Sequence, residues 1–292
     1  VSPGFFLPIL GDSELDRLFR MGLDESLSWM PRWEEAGLSI GVSLNLPPGT
    51  LRDPDCPKWV EEALTRHRID PGRLTLELLE NREIEHHSQD QAINRLLDIG
   101  VKLAMDDLGS GYSSLQRLST MPFDNIKVDQ GLLKRIRIAP LQTLSMIGTI
   151  VRMGHDFELD VVVEGLEDVG MIEAATILGS PFGQGFALAR PMPAEEIVEW
   201  SRSFVLPNKS GAIRTYLGAL AFHWSVMHSS KPADACPSFH ECPLTHFIEE
   251  KGLGKTEGAI WHALLHEKGK DFESISRKLT NWLVEKLHEE NM

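Results

Sequence analysis

The chain has 292 residues, of which 42% are hydrophobic and 25% are charged, and these proportions are typical of a folded globular protein. Its formal net charge of −14 argues against a protein that binds nucleic acid by neutralising phosphates, so an anionic ligand would need a local positive charge such as a divalent cation. No apolar run reaches the roughly 20 residues that span a bilayer, and three cysteines are too few for a disulfide framework, which favours a reducing cytoplasm.

Short β-type segments alternate with amphipathic helical segments from residue 39 to about residue 193. The predicted strands, in chain order, are SIGVSLNL, LTLELLE, VKLAMDDL, NIKVD, LDVVVEGL and a weaker FGQGFA. The helical patterns between them include IEHHSQDQAINRLLDIG and PLQTLSMIGTIVRMG. This alternation predicts a parallel sheet covered by helices, either as a doubly wound sheet or as a (β/α) barrel.

The character of the sequence changes after residue 203. The segment FVLPNKSG is rich in turn-forming residues, and we interpret residues 204–210 as a linker. Residues 211–292 show helical patterns only and contain seven of the eleven histidines. The sequence therefore predicts an α/β domain over residues 1–203 and a small all-helical bundle over residues 211–292.

Polar residues stand at or near the end of each predicted strand. In chain order they are Asn45, Glu77 with Glu80, Asp106 with Asp107, Lys127, Glu164 and Gln184. In a (β/α) barrel the carboxyl ends of the strands form the rim of the active site. Carboxylates that converge there repel one another unless cations lie between them, and oxygen ligands suit magnesium, manganese or calcium. Any one of these residues alone could be a helix cap or a solvated charge, but the whole set favours a two-metal site for displacement at phosphorus.

Several motifs resemble the EAL-type cyclic di-GMP phosphodiesterases and occur in the order and spacing of that family. DDLGSGYSSLQRL resembles its DDFGTGYSSL loop, with Leu108 in place of Phe and Ser110 in place of Thr. LTLELLE resembles its E-x-T-E strand, with Leu79 where Thr is usual. VVVEGLE resembles AEGVE, IKVD resembles KID, and GQGFALARPMP resembles the closing QGY…RP. The resemblance covers about residues 1–200 and implies a TIM-type (β/α) barrel.

The resemblance also implies a ligand set for two magnesium or manganese ions. Those ligands would be Asn45, Glu77, Asp106 and Asp107. Glu80 matches the second acid of E-x-T-E, which in the family anchors the loop at positions 109–114. That loop is associated in the family with metal binding and with dimer contacts.

Three further residues would take part in the reaction if the resemblance holds. Lys127 and Glu164 would orient or deprotonate the attacking water, and Gln184 would support the site. The implied reaction opens cyclic di-GMP to linear pGpG, with calcium as an inhibitor.

The E-A-L run that gives the family its name does not occur in this sequence. In the family it lies on the first strand, and its glutamate is a further metal ligand. FFLPILGDSELDRL resembles the segment that follows that strand, so we expect the first barrel strand to be missing from this chain. Glu14 could be considered as a substitute ligand, but its surroundings predict a helix. Either the first strand has been omitted, which we favour, or the protein is a degenerate member that binds without cleaving.

The C-terminal segment contains a candidate zinc site. His262 and His266 are four residues apart, so a helix places both on one face, which is a common metal-ligand spacing. With His223 and Cys242 they would complete a shell of three histidines and one cysteine. The order of these residues resembles the chemoreceptor zinc-binding domain, H…C-x-L-G-x-W…H-x-x-x-H.

This second resemblance has departures. Thr245 and Phe247 stand where Gly and Trp are usual, and Val226 stands where an aromatic residue normally follows the first histidine. The assignment of His223 therefore has alternatives, which are His228, His240 and His246.

Two functional hypotheses of different classes follow. The first is a metal-dependent phosphodiesterase of bacterial second-messenger signalling, tuned by a zinc-binding helical module. The alternative is a catalytically silent cyclic di-GMP receptor or scaffold. We expect cyclic di-GMP and a second copy of the chain as partners, no DNA, no membrane segment in this chain and a cytoplasmic location.

Overall fold

The computed structural model describes residues 3–79, 88–108, 114–207, 212–229, 237–267 and 271–290. Its strands are β1 Val42–Asn45, β2 Leu74–Leu79, β3 Lys102–Leu108, β4 Asn125–Val128, β5 Asp160–Val163 and β6 Phe182–Gly183. Its α-helices are α1 Pro3–Phe6, α2 Asp12–Glu35, α3 Pro48–Arg52, α4 Cys56–His67, α5 Ser88–Ile99, α6 Ser114–Thr120, α7 Gln130–Lys134, α8 Pro140–Asp156, α9 Val169–Ile177, α10 Ile197–Ser203, α11 Tyr216–Met227, α12 Pro243–Glu250, α13 Glu257–His266 and α14 Phe272–Glu290. All six predicted strands are present, each within its predicted segment and shorter than it.

The strands form one sheet in which hydrogen-bonded neighbours follow chain order from β1 to β6. The pairs β1–β2, β2–β3 and β5–β6 are parallel, and helices occupy the connections between successive strands. A doubly wound sheet would reverse its strand order at a switch point, and this order has none. The structure therefore confirms the (β/α) alternative of the predicted fold.

Contacts divide the chain into two compact units. The first comprises Val1–Lys127 and Pro191–Phe204, and the second comprises Val128–Arg190 and Val205–Met292. The second unit thus contains the C-terminal helices together with residues 128–190. The linker at 204–210 and the domain boundary at 211 remain predictions.

The core of the first unit lies between the sheet and its outer helices. One face of α2 is buried at three- and four-residue intervals, by Phe19, Leu23, Leu27, Met30 and Trp33. On the sheet, the side chains of Leu74, Leu76, Leu103 and Met105 have no exposed surface.

Glu14 lies in the first turn of α2, where its Oε2 accepts hydrogen bonds from Gly11 N and the Ser13 hydroxyl, both at 3.1 Å. Glu14 therefore lies in a helix, as its surroundings predicted, and caps the first turn of that helix.

The core of the second unit is formed where α11 packs against α8, α9 and α14. The Trp224 ring on α11 lies so close to Gly148 of α8 that a Cβ at position 148 would be 2.9 Å from it. Helices α13 and α14 also pack against each other, and a Cβ at Gly258 would be 2.4 Å from the Trp282 ring. The predicted helical character of the C-terminal segment is confirmed for the described residues.

Some predicted features lie outside the described residues. These are Glu80, the loop from Gly109 to Ser113, and Cys236. A search of the described helices finds none that is long and apolar enough to cross a membrane.

Candidate functional site

Three of the predicted site residues meet in the first unit, on strands β2, β3 and β4. Lys127 Nζ lies 2.9 Å from Glu77 Oε2 and 3.4 Å from Asp106 Oδ1. All three residues are buried: Glu77 is 6% exposed, Asp106 is 8% exposed and Lys127 is 7% exposed. The group holds two carboxylates against one ammonium, so it is a buried cluster with an unbalanced negative charge.

Strand register explains why these residues share one side of the sheet. Glu77 pairs with Asn45 of β1 on one side and with Ala104 of β3 on the other. Asp106 lies two residues beyond Ala104, and side chains two residues apart on a strand point to the same face. Asn45, Glu77 and Asp106 therefore lie on one face, opposite to the buried leucines. This arrangement follows from parallel pairing and could be expected once the strands were located.

Asp106 contains a polar atom without a hydrogen-bond partner. Among the described residues its Oδ1 is buried and accepts no hydrogen bond, although it lies within ion-pair distance of Lys127. Burial raises the pKa of Asp106 above its ordinary value; the nearby Lys127 charge opposes this rise, and Glu77 adds to it. A buried carboxylate oxygen whose nearest cation, Lys127 Nζ, is 3.4 Å away is consistent with a place for a further cation.

Asp107 has an unusual backbone conformation. Its φ is +60°, in the left-handed region that residues with a side chain rarely adopt. Aspartate tolerates this region better than most residues, and such positions are concentrated at functional sites. Asp107 is half-buried and directly follows Asp106 on β3.

Glu164 and Gln184 are described within the second unit. Glu164 directly follows β5, and its backbone NH donates to Val128 O at 3.2 Å. Gln184 directly follows β6, where its NH donates to Val163 O at 2.9 Å and its carbonyl accepts from Leu166 N at 3.1 Å. Glu164 thus stands at a strand end, as predicted, and is half-buried. Gln184, predicted within the sixth strand, lies just after it and is exposed.

A second cluster lies among the C-terminal helices, in the second unit. Cys242, His262 and His266 each offer a ligand atom, and these atoms all lie within 4.8 Å of one another. Cys242 and His262 are buried, and His262 Nε2 shares a hydrogen bond of 2.8 Å with the Thr245 hydroxyl. Burial, followed by the neighbouring His266 and His223, lowers the pKa of His262 to about 3. His262 is therefore neutral near pH 7, which is the form that binds metal ions.

His223, the fourth predicted zinc ligand, is buried but is not a member of this cluster. Its Nε2 lies 3.0 Å from the Ser276 hydroxyl and 3.3 Å from the Ser276 carbonyl. Among the alternatives, His228 donates from Nδ1 to Trp224 O at 2.8 Å, and His246 Nε2 is 2.8 Å from His240 O. The structure thus brings together three of the four predicted zinc ligands.

Sequence reasoning missed two residues beside these clusters. Ser43 donates a hydrogen bond to Glu77, and Thr245 bonds to His262. Thr245 was noted only as a departure from the zinc-domain pattern. Ser43 could have been found from strand alternation, since it lies two residues before Asn45 on the same face.

Comparison with known proteins identifies the family. Residues 1–191 match the EAL domain. The oxygen sensor protein DosP of Escherichia coli is 32% identical over 212 residues, which is 72% of this chain and 26% of DosP. The bifunctional diguanylate cyclase/cyclic di-GMP phosphodiesterase MucR of Pseudomonas aeruginosa is 32% identical over 203 residues, 68% of this chain and 29% of MucR. The chain thus spans less than a third of the length of either relative.

Solved structures agree with the sequence comparison. The MucR phosphodiesterase in complex with c-di-GMP matches with a TM-score of 0.63 and 31% identity, covering 68% of this chain and 81% of the MucR chain. The manganese/c-di-GMP complex of Klebsiella pneumoniae BlrP1 matches with a TM-score of 0.57 and 26% identity, covering 65% of this chain and 48% of that one. From its sequence, its parallel strand order and these matches, the chain belongs to the EAL domain family.

Proposed function

We propose that this chain hydrolyses cyclic di-GMP to linear pGpG in a reaction that depends on magnesium or manganese. The observation that carries the proposal is the buried group of Glu77, Asp106 and Lys127 on the strands of an EAL fold. The c-di-GMP complex of the MucR phosphodiesterase and the manganese complex of BlrP1 support this substrate and this class of metal.

The residues of the first unit fit a divalent cation. Asp106 Oδ1 is buried and accepts no hydrogen bond within the described part of the chain. Glu77, Asp106 and Asp107 supply three carboxylates against the single Lys127 ammonium, and with the Asn45 amide they form the all-oxygen donor set that magnesium and manganese prefer. We therefore propose Asn45, Glu77, Asp106 and Asp107 as the metal ligands.

Bound divalent ions would supply an acidified water and would neutralise charge on the phosphate. The protein's own contribution begins with Lys127, whose ammonium is held between two carboxylates and is thereby fixed in position. A fixed positive charge at this place favours an anionic phosphodiester and the further negative charge that develops during the reaction. By resemblance we assign Lys127 and Glu164 to orienting or deprotonating the attacking water, and Gln184 to supporting the site.

The direct test is chromatography of the chain after incubation with cyclic di-GMP and either magnesium or manganese. We expect linear pGpG from the parent chain and none from an Asp106→Ala, Asp107→Ala variant. A parent chain that binds cyclic di-GMP in a calorimetric titration but yields no product would be either the silent receptor or a chain that lacks the E-A-L glutamate, and adding an E-A-L strand upstream would decide between the two. If the parent chain neither yields product nor binds cyclic di-GMP, the assignment to cyclic di-GMP is overturned.

A second function is supported by the cluster of Cys242, His262 and His266. We propose that these residues bind zinc, with His223 as the fourth predicted ligand, and that zinc tunes the phosphodiesterase. One thiolate and neutral imidazoles are a donor set that zinc prefers. The Thr245 hydroxyl helps to orient His262, as hydrogen-bonded neighbours of metal ligands commonly do. A homodimer and a cytoplasmic location remain predictions.

Cobalt substitution tests the zinc proposal, because cobalt bound to a thiolate gives a charge-transfer absorption. We expect that absorption from the parent chain and its loss in Cys242→Ser. The matched control is Cys56→Ser, since Cys56 is also a buried free cysteine but lies in the first unit, on α4. Equal absorption in both variants would contradict the site. Hydrolysis rates with and without zinc then test whether the site is regulatory.

A further inference from the structure

Ser43 on β1 makes a contact that none of the proposed roles uses. Its hydroxyl donates a hydrogen bond of 2.5 Å to Glu77 Oε1, while Glu77 Oε2 accepts one of 2.9 Å from Lys127 Nζ. Each oxygen of this buried carboxylate is therefore held by a different strand, Oε1 from β1 and Oε2 from β4. The 2.5 Å separation is within the range of a hydroxyl that donates to an ionised carboxylate.

The parallel register makes this contact possible. Ser43 pairs with Thr75, and Asn45 pairs with Glu77, so Ser43 is diagonal to Glu77 on the same face of the sheet. A diagonal neighbour on an adjacent strand is within reach of a side chain as long as glutamate. The position of Ser43 relative to Glu77 is thus fixed by the backbone.

We propose that Ser43 is a positioning residue for Glu77 as a metal ligand, and this inference assumes the ligand role given to Glu77 above. An ionised carboxylate has about four sites that can accept hydrogen bonds or metal ions. Ser43 and Lys127 use one site on each oxygen, which leaves one further site on each oxygen for a metal ion. Without Ser43, only Lys127 among the described residues holds the Glu77 carboxylate, which can then turn both of its oxygens towards the ammonium in a geometry that competes with metal binding.

The expected effect is a loss of metal affinity without a loss of fold. Removing a hydrogen-bonded neighbour of a metal ligand typically lowers affinity by about 10- to 100-fold. We therefore expect Ser43→Ala to raise the Kd for manganese by about tenfold or more. Ser43→Thr retains the hydroxyl and should restore binding close to the parent value. The melting temperature should be the same in all three proteins measured without metal.

Manganese binding is measured by electron paramagnetic resonance of the free ion, with no substrate present. The matched control is Thr75→Val, because Thr75 is the register partner of Ser43 and its hydroxyl makes no hydrogen bond to Glu77 among the described contacts. An unchanged Kd in Ser43→Ala, an equal loss in Thr75→Val, or no manganese binding by the parent chain would each overturn the proposal.

Activity gives a second, separate readout. In an active chain, Ser43→Ala should raise the manganese concentration needed for half-maximal rate more than it lowers kcat at saturating manganese. A purely structural role would lower the amount of active protein at every manganese concentration. If the parent binds manganese but does not hydrolyse cyclic di-GMP, the proposed function fails while the binding comparison still decides the role of Ser43.

Discussion

The Thr215 hydroxyl donates a hydrogen bond of 2.7 Å to Glu173 Oε2, which joins the residue before α11 to the middle of α9. Glu173 has no exposed surface, and its carboxylate also accepts hydrogen bonds from the backbone NH groups of Arg214 and Thr215. A fully buried carboxylate with several donors is costly to remove because the donors are left unpaired. Glu173 therefore fastens the first C-terminal helix to the preceding part of the second unit.

We expect Glu173→Ala to lower the free energy of unfolding by about 2–4 kcal/mol, since it leaves the buried donors of Arg214 and Thr215 without an acceptor. Urea unfolding followed by circular dichroism measures this change. Thr215→Ser is the control, because it retains the hydroxyl that bonds to Glu173. A Glu173→Ala variant as stable as the parent would contradict the anchoring role.

The left-handed backbone at Asp107 allows strain to be separated from chemistry. Asp107→Gly and Asp107→Ala both remove the carboxylate, but only glycine adopts this conformation without cost. We expect the glycine variant to be more stable than the alanine variant by about 1 kcal/mol in urea unfolding. Both variants should lose manganese affinity. Equal stability of the two would show that the conformation at Asp107 carries no strain.

Two buried histidines should make the second unit sensitive to acid when metal is absent. Burial lowers the pKa of His223 to about 4 and that of His262 to about 3, from an ordinary value of 6.5. Because these pKa values are depressed in the folded state, the unfolded chain binds more protons below pH 6.5. Their stabilising effect is complete above that pH and declines as the pH falls towards 4 and 3, with a loss of about 2 kcal/mol from each group at pH 5.

The measurement is the free energy of unfolding of the EDTA-treated chain between pH 7.5 and pH 5. His223→Gln should give a flatter profile than the parent, since its side chain does not titrate. His155→Gln is the control, because the His155 side chain is 90% exposed. A His223→Gln profile parallel to that of the parent would contradict the prediction.

Close packing between α13 and α14 gives a test of the helical bundle. A Cβ at Gly258 would lie 2.4 Å from the Trp282 ring, whereas a Cβ at Gly254 would meet nothing within 4 Å. Alanine is the better helix former, yet we expect Gly258→Ala to destabilise the chain by about 1–3 kcal/mol because the overlap outweighs propensity. Gly254→Ala should leave the free energy of unfolding nearly unchanged. Similar values for the two variants would show that Trp282 moves aside at little cost.

The strands and their polar ends could be predicted from the sequence because both depend on local patterns. Alternation of apolar residues located β2 and β3, and the position of Glu77 and Asp106 on one face follows from the two-residue period of a strand. The motif resemblance added the family, which periodicity alone does not provide.

Contacts between distant segments could not be predicted in the same way. Glu173 lies in a helical pattern with no sign that its partner is 42 residues away at Thr215. His223 fits a zinc pattern, yet its Nε2 faces Ser276 of α14. Such contacts depend on how helices pack, and helical periodicity shows which face is buried but not which residue it meets.

The register of β1, β2 and β3 has a consequence for how this family can vary. Asn45 faces Glu77, and Leu79 faces Asp106, so the spacing between the oxygen donors is set by whole residue steps between strands. An insertion or deletion of a single residue within β2 would turn every later side chain of that strand to the opposite face. Length changes in the connecting helices would have no such effect. A single genetic step inside β2 could therefore remove Glu77 from the site and Leu78 from the core together, so that the site and the fold are lost at once.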